Sequence, residues 1–422
     1  MSAFDRIIGY DAVKEELVQL CDMLHNREHY DRLGARLPHG LLIYGDPGLG
    51  KTLMAETLIE ESGRRVFNVR RNISGEEFVK AISEAFGQAK ANVPSIVFLD
   101  DMDKFANDDE DHCDSDEYVA VQAGIDDVKN DDVFVIATVN DMRKLPDSLT
   151  RAGRFDRKIF VDKPSEEDSE RIIEHYLSGK NISRDVDITD VTKMISYSSC
   201  AELETILNEA AIRASYERKS AVEMSDIVDA VLKIQHKCDS NTFSDADAKK
   251  NAIHEAGHIV VSEVLAEGSV GLASIKVSKS LNTGGFVRTC GGDQSEEYGI
   301  MLSLAGFVAS EQYYPSSEGC GSDFRNASRI IKNKITRSGS YGVGFLEVVD
   351  YDTTNEYWAA VESAVHVELE RYIREVRKII IDNSDFLEKT AKALEEKQTL
   401  VYSDIKKLRE STMYAYKADK CA

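Results

Sequence analysis

The sequence of 422 residues predicts an α/β domain with a parallel sheet flanked by helices, then a helical lid and a mainly α-helical C-terminal domain. Two observations carry this prediction. In the first part of the chain, short β-rich runs alternate with helical patterns, as in sheets whose parallel strands are joined by helices. After about residue 165 these runs give way to apolar residues at helical spacing. We therefore expect domains at residues 1–165, 166–240 and 241–422.

Five apolar runs are predicted as strands: Leu41–Tyr44, Val66–Val69, Ile96–Leu99, Val133–Ala137 and Ile159–Val161. Each run is almost uninterrupted, which is typical of strands buried on both faces of a parallel sheet. The intervening segments have helical patterns, for example Phe78–Ala89. This part of the chain therefore predicts a sheet with helices packed on it.

Helical patterns continue at Glu166–Ser178 and Ala201–Tyr216, which we assign to the lid. The polar stretch Lys237–Asp247 marks the boundary to the third domain. Beyond it the pattern is mostly helical, with β-rich segments at Ala273–Val277 and Gly285–Arg288. The C-terminal domain is therefore expected to combine many helices with a small β structure.

Composition excludes several classes of protein. The net charge of −23 repels phosphate backbones, so nucleic acid is not expected as a partner. No window holds about 18 uninterrupted apolar residues, so we expect no integral membrane segment. The seven cysteines are odd in number and form no CxxC pair, which favours reduced thiols over a disulfide framework. These features predict a cytoplasmic protein.

A phosphate-binding loop pattern follows the first predicted strand and opens a helix over Thr52–Glu61. Its glycines allow backbone N–H groups to surround phosphate oxygens at a helix N-terminus. Lys51 is expected to reach the β- and γ-phosphates of ATP, and the Thr52 hydroxyl to bind Mg²⁺. The complete pattern is Gly45, Asp46, Pro47, Gly48, Leu49, Gly50, Lys51 and Thr52.

Further residues for ATP chemistry follow two later strands. Asp100 ends the third predicted strand, where its carboxylate can hold the Mg²⁺ shell. Asn140 ends the fourth and is placed to orient the attacking water. Arg151 and Arg154 come next and are predicted to act as arginine fingers, which neutralise charge on the γ-phosphate.

A second chemical motif lies in the C-terminal domain. His254, Glu255 and His258 form an HExxH pattern, whose histidines are one helical turn apart and can bind one Zn²⁺. Glu255 lies beside them and can take a proton from a zinc-bound water. A third protein ligand is needed, and spacing alone leaves both Glu311 and Asp323 as candidates.

The order of the ATP motifs over residues 4–235 resembles the AAA+ ATPases. Together with HEAGH, LAGFVASE and GCGSDFRNAS, the chain resembles the FtsH-type zinc metalloproteases from about Phe4 to Gly344. The resemblance implies Asp323 as the third zinc ligand and Glu255 as the catalytic acid. It also implies arginine fingers that act on a neighbouring subunit in a ring, usually a homohexamer, and protein or peptide substrates. Gly284-Gly285-Phe286-Val287 is then the edge strand that pairs with the substrate backbone.

Asp101 stands where the family has glutamate, and its side chain is one methylene shorter, so we predict slow ATP turnover.

Two hypotheses for the function of the chain remain open. The leading hypothesis is an ATP-dependent zinc endopeptidase. The alternative is an AAA+ remodelling or chaperone-like ATPase whose peptidase domain is inactive or uncoupled from ATP.

Overall fold

The computed structural model describes residues 2–72, 75–106, 115–151, 153–238, 245–278, 280, 283–291, 295–314, 321–338 and 355–412. The contacts divide the chain into two units. The first comprises Met1–Lys180 and Tyr197–Asn208, and the second comprises Asn181–Ser196 and Glu209–Ala422. The predicted domain limits at residues 165 and 240 stay a prediction, and the second falls outside the described residues.

The first unit contains a five-stranded sheet in the order β2-β3-β4-β1-β5, with all neighbouring strands parallel. This confirms the predicted parallel sheet. The strands are β1 (Gly40–Tyr44), β2 (Arg65–Arg70), β3 (Ser95–Asp100), β4 (Val133–Val139) and β5 (Arg157–Phe160). The helices are α1 (Asp11–His25), α2 (Arg27–Arg32), α3 (Lys51–Ser62), α4 (Glu76–Ala91), α5 (Asp116–Asp127) and α6 (Glu166–Ser178).

The expectation that all five strands are buried on both faces was wrong for the two edge strands. Strands β3 and β4 are buried at every position, and β1 at all but its last residue. In contrast, β2 and β5 expose several residues, and Phe160 is 54% exposed. Both lie at the edges of the sheet, where a neighbour is missing on one side. Apolar composition alone does not distinguish an edge strand from a central one.

The helices of the first unit begin and end where local chemistry favours it. Helix α6 begins after Ser165, whose hydroxyl accepts a hydrogen bond from the backbone N–H of Asp168. Three acids in its first turn complement the helix dipole. Helix α3 ends at Gly63, which adopts φ 62°. Helix α4 buries Phe78 and Phe86, and α5 buries Tyr118, in a core against the sheet.

The second unit is mainly helical, as predicted. It contains α7 (Ile188–Ile195), α9 (Met224–Ile234), α10 (Asp245–Leu265), α11 (Glu296–Tyr313), α12 (Gly321–Ser338), α13 (Asn355–Asp382), α14 (Ser384–Lys397) and α15 (Tyr402–Glu410). Helix α8 (Cys200–Tyr216) has its first part in the first unit and its last part in the second. Among the described residues, no helix is both long and apolar enough to cross a bilayer.

A small antiparallel sheet accompanies these helices, in the order β7-β6-β8. Its strands are β6 (Val270–Ser274), β7 (Phe286–Thr289) and β8 (Thr399–Val401). The sequence predicted the first two within a few residues. It did not predict β8, because three residues are too few for a periodic pattern and pairing with β6 alone defines the strand. Strand β7 lies at an edge of the sheet.

Candidate nucleotide and metal sites

The phosphate-loop residues connect β1 to α3, as the sequence predicted. Gly45 and Gly50 have φ values of 150° and 85°, which only glycine adopts without strain. A side chain at Gly45 would also meet the Val161 carbonyl oxygen at 2.0 Å. Asp46, Pro47 and Gly48 are exposed, whereas Leu49 is buried. The loop therefore keeps its backbone accessible at the N-terminus of α3, where an anion is favoured.

Lys51 is 5% exposed and is held by three oxygen atoms. Its Nζ donates to the carbonyl oxygens of Gly45 at 2.8 Å and Asp46 at 2.7 Å, and to Asn140 Oδ1 at 2.8 Å. Burial lowers the pKa of Lys51, and the nearby acids Asp101 and Asp103 act in the opposite direction. Lys51 and Asn140, 89 residues apart, thus meet at one point.

Asp100 lies at the carboxyl end of β3 and is 7% exposed. Its Oδ1 accepts hydrogen bonds from the hydroxyls of Thr52 at 3.0 Å and Thr138 at 2.8 Å. Hydroxyl and carboxylate oxygens are the ligands that Mg²⁺ prefers, together with phosphate and water. The pair Thr52 and Asp100 is therefore suited to hold the magnesium of a bound nucleotide. The sequence did not single out Thr138, which orients Asp100 from the neighbouring strand.

Asp101 adopts a left-handed backbone conformation with φ 53°. Its Oδ1 accepts a hydrogen bond from Asn140 Nδ2 at 3.1 Å, and its Oδ2 forms an ion pair with Lys104 Nζ at 2.8 Å. Burial acts to raise the pKa of Asp101, but the hydrogen bonds and charge of Lys104 leave it below its usual value. The sequence did not identify Lys104, although its position three residues after an acid was a usable signal.

The two arginines predicted as fingers differ in their surroundings. Arg154 is tied into its own unit: its guanidinium pairs with Asp126 Oδ2 at 2.8 Å and donates to the Ser148 carbonyl oxygen at 2.6 Å. Arg151 is exposed. Of the two, Arg151 is the more accessible to another molecule, and the role of both as fingers stays a prediction.

In the second unit, α10 and α12 bring three possible metal ligands together. His254 Nε2 lies 3.2 Å from His258 Nε2, and Asp323 Oδ2 lies 3.1 Å and 3.6 Å from these two nitrogens. Their ligand atoms all lie within 4.8 Å of one another, and among the described residues they form the one such group of three. Two imidazoles and one carboxylate are a donor set typical of a catalytic zinc site, so these residues fit that metal.

The alternative third ligand, Glu311, lies elsewhere. Its carboxylate pairs with Arg377 Nη2 at 2.7 Å on a partly exposed face of α11 and α13. Asp323, in contrast, is held by both histidines. Its burial acts to raise its pKa, but the hydrogen bonds with His254 and His258 bring the pKa far below the usual value. The geometry therefore favours Asp323 as the third ligand.

The two histidines are oriented from behind by α11. His258 Nδ1 lies 2.8 Å from the Leu302 carbonyl oxygen, and His254 Nδ1 lies 3.5 Å from Ser310 Oγ. A carbonyl acceptor keeps the proton of His258 on Nδ1 and leaves Nε2 free to bind a metal. Gly306 of the same helix has no room for a side chain, since a Cβ there would lie 2.5 Å from His254 Nε2 and 2.6 Å from His258 Nε2.

Glu255 faces the same cleft and is 6% exposed. Burial raises the pKa of its carboxyl group, and the neighbouring imidazoles act in the opposite direction. The cleft has a volume of about 760 Å³ and is lined by the three candidate ligands, Glu255 and the segment Thr283–Val287. A raised pKa suits a carboxylate that must accept a proton and later return it.

Comparison with known proteins agrees with this geometry. Residues 41–163 match the AAA family, described as the ATPase family associated with various cellular activities. ATP-dependent zinc metalloprotease FtsH of Caldicellulosiruptor bescii is 30% identical and aligns over 96% of this chain and 71% of its own length. FtsH 2 of Symbiobacterium thermophilum is also 30% identical, over 96% of this chain and 74% of its own.

The chain belongs to the FtsH family of ATP-dependent zinc metalloproteases. Another relative, FtsH 2 of Phytoplasma mali, is 29% identical over 96% of this chain and 62% of its own length. The chain thus spans between about three fifths and three quarters of these relatives.

For this FtsH-family chain, the predicted edge strand also lies at the cleft. Gly285 packs against Glu255 so closely that a Cβ would lie 2.6 Å from Glu255 Oε1. Asn251 Nδ2 donates to the Gly284 carbonyl oxygen at 3.1 Å. Since β7 lies at the edge of its sheet, its outer backbone groups can pair with an extended peptide. Sequence reasoning did not find Asn251, which precedes the HExxH pattern by one helical turn.

Proposed function

We propose that this chain is an ATP-dependent zinc endopeptidase that cleaves protein substrates. The observation that carries this proposal is the convergence of His254, His258 and Asp323 within 4.8 Å, in a cleft that also contains Glu255. A zinc ion held by the three ligands would polarise both a water molecule and the scissile carbonyl group.

In the proposed reaction Glu255 moves the protons. Its buried carboxylate removes one proton from the attacking water as the new C–O bond forms at the substrate carbonyl. It then donates this proton to the amide nitrogen as the C–N bond breaks. The products are one carboxylic acid, which passes its proton to the released amine, and Glu255 returns to its starting state. Strand β7 holds the substrate backbone in an extended conformation beside these groups.

For the ATPase site we assign Lys51 to the phosphates, Thr52 and Asp100 to Mg²⁺, and Asp101 and Asn140 to the attacking water. The hydrogen bonds support the assignment, because Asn140 joins Lys51 at 2.8 Å to Asp101 at 3.1 Å, and Thr52 donates to Asp100 at 3.0 Å. Arg151 and Arg154 would act on the nucleotide of a neighbouring copy, which implies a ring, and we propose a homohexamer. We also propose a cytoplasmic location, where thiols such as those of Cys21, Cys200, Cys238 and Cys290 stay reduced.

Hydrolysis of casein and of a stably folded protein, with and without ATP, tests the proposal. Glu255→Gln should retain stoichiometric zinc and lose activity by ~10²–10⁴-fold, because it removes the proton acceptor without a change of volume. Glu311→Gln is the matched control and should retain activity. Lys51→Ala should abolish stimulation by ATP.

Two results would contradict the proposal. Wild-type protein that binds no stoichiometric zinc and cleaves no casein would favour the remodelling ATPase with an inactive peptidase domain. Casein cleavage that is unaffected by Lys51→Ala would favour a peptidase uncoupled from ATP.

A further inference from the structure

Strand β7 contacts residues that follow the C-terminal ends of helices α7 and α9. The ring of Phe286, its first residue, stacks on the ring of His236 with a centroid distance of 3.6 Å and an interplanar angle of 8°. His236 follows the C-terminus of α9 by two residues. The contact joins residues 50 positions apart in the sequence, and Phe286 also lines the peptidase cleft. The stack therefore fixes one wall of that cleft.

Arg288 of β7 makes a second contact with these helix ends. Its guanidinium donates to Gln235 Oε1 at 2.5 Å and to the Ser196 carbonyl oxygen at 2.5 Å. Ser196 caps the C-terminus of α7. Since side chains alternate along a strand, residues 286 and 288 point to the same face of β7. Both attachments thus act on one face of the strand, and both come from the ends of helices in the second unit.

The other contacts of this segment lead directly to the catalytic groups. Gly285, which immediately precedes β7, lies in contact with the Glu255 carboxylate, and Asn251 of α10 holds Gly284. The segment therefore lies between the ends of α7 and α9 on one side and the HExxH helix on the other. A displacement of Phe286 or Arg288 would alter the position at which the outer edge of β7 meets a peptide.

We propose that His236 and Arg288 are positioning residues of the peptidase site, which hold β7 in the register and orientation needed to pair with substrate. This inference rests on the proposed endopeptidase activity and specifies how its substrate-binding strand is maintained. Neither residue is one of the proposed metal ligands or the proposed proton carrier. Their effect is expected on substrate binding, because β7 contacts the peptide backbone and not the reacting bond.

The role of His236 depends on its aromatic face. Its Nε2 is buried and has no hydrogen-bond partner among the described residues. Phenylalanine offers a ring of similar size without that unsatisfied nitrogen, so His236→Phe should preserve the stack. The role of Arg288 depends on a planar group with two donors, which methionine lacks and lysine reproduces only in part.

The test uses an internally quenched peptide, so that hydrolysis requires no unfolding of a protein substrate. His236→Ala and Arg288→Met should each raise KM about tenfold, with kcat within about twofold of wild type. This pattern is expected when the lost interaction stabilises the bound substrate and the transition state equally. His236→Phe should retain the wild-type KM, and Arg288→Lys should lie between. His29→Ala and Arg32→Met, exposed on the first unit, are the matched controls.

Zinc content and ATP hydrolysis are measured on the same preparations and should be unchanged, which excludes a general loss of folding. Wild-type KM values in both His236→Ala and Arg288→Met would overturn the inference, as would a His236→Phe variant as impaired as His236→Ala. These outcomes differ from a failure of the proposed function, in which the wild-type protein itself shows no zinc-dependent cleavage.

Discussion

Asp101, which we propose as the base of the ATPase site, has surroundings that limit its basicity. Both carboxylate oxygens are already engaged, one by Asn140 and the other by Lys104. Lys104 stabilises the charged form of the carboxylate and so makes it a weaker base. The side chain is also one methylene shorter than glutamate. Both features reduce its ability to reach and deprotonate a water molecule at the γ-phosphate.

Asp101→Glu is therefore expected to raise the kcat of ATP hydrolysis by roughly tenfold, a part of the 10²–10⁴-fold that a well-placed base contributes. The longer side chain brings the carboxylate one bond closer to the nucleotide. Steady-state phosphate release at saturating MgATP measures the effect. Asp101→Asn is the matched control and should lower kcat. A glutamate variant no faster than wild type would contradict the explanation.

The burial of His236 should make the free energy of unfolding depend on pH. Burial, with a smaller effect of the nearby Arg288 charge, lowers its pKa to about 4. In the unfolded chain the His236 imidazole is protonated near pH 6.5, whereas in the folded chain it is protonated only near pH 4. Between pH 6.5 and pH 4 the unfolded state thus binds more protons than the folded state. The contribution of His236 to the free energy of unfolding is therefore fully present above pH 6.5 and is lost as the pH falls toward 4.

We expect the wild-type second unit to lose about 2 kcal/mol more stability than His236→Phe between pH 7 and pH 5, since one pKa unit corresponds to about 1.4 kcal/mol. Urea unfolding followed by fluorescence of Trp358 reports this, because the chain has one tryptophan and it lies in the second unit. Equal pH dependence in the two proteins would show that His236 is not the titrating group.

At the scale of elements, the close packing of α10 against α11 shapes the candidate metal site. Gly257 lies between the two histidines in sequence, on the face of α10 that meets α11. A Cβ at Gly257 would lie 2.6 Å from the Ala305 carbonyl oxygen and 2.5 Å from Ala309 Cβ. Gly306 provides the corresponding space on α11 beside both imidazoles. Small residues on both helices thus allow the Leu302 carbonyl to reach His258.

Gly257→Ala should destabilise the second unit by about 1–3 kcal/mol, because the added methyl group meets backbone that cannot move independently. It should also weaken zinc binding, since α11 must shift away from the histidines. Gly299→Ala is the matched control in α11, where the nearest atom, Ile330 Cδ1, is at an acceptable 3.5 Å. That variant should be neutral or stabilising by about 0.5–1 kcal/mol. Trp358 fluorescence during urea unfolding and zinc competition with a chelator measure both effects, and a wild-type result for Gly257→Ala would contradict this account.

At the scale of the whole molecule, a buried ion pair connects the C-terminal helix α15 to α10 across 146 residues of sequence. Arg409 Nη1 pairs with Glu263 Oε2, and both side chains are less than 10% exposed. The Glu263 carboxylate also accepts from the backbone N–H groups of Gly268 at 2.9 Å and Val270 at 3.0 Å. Three groups therefore compensate the charge of Glu263: the Arg409 guanidinium and two backbone N–H groups of the turn that leads into β6.

Arg409→Met should lower the free energy of unfolding of the second unit by about 3–5 kcal/mol, because it leaves a buried carboxylate without its cation. The double variant Arg409→Met with Glu263→Gln should recover part of this loss, since no unpaired charge remains. Lys406→Met, at an exposed position of the same helix, is the control. The Trp358 unfolding midpoint in urea measures each variant, and equal losses in the single and double variants would argue against the charge as the cause.

The contiguous motifs were predictable from sequence because local geometry alone gives them meaning. A strand, a glycine loop and a helix in succession predict the phosphate loop, and histidines four residues apart lie on one helix face. The five strands of the parallel sheet were predicted for the same reason, from runs within a few residues. Local signals did not reveal which strands lie at the edges, nor the short strand β8, because both depend on neighbours distant in sequence.

The sequence by itself thus determined the fold class, the phosphate loop and the HExxH pair, since each is written in consecutive residues. The tertiary structure alone placed Asp323 beside both histidines and Glu311 beside Arg377. It also paired Asp101 with Lys104 and Asn140, placed Gly285 on Glu255, and joined His236 to Phe286. The physical reason is that these contacts are distances between separate elements. Such distances are set by how helices and strands pack, and spacing along the chain does not contain them.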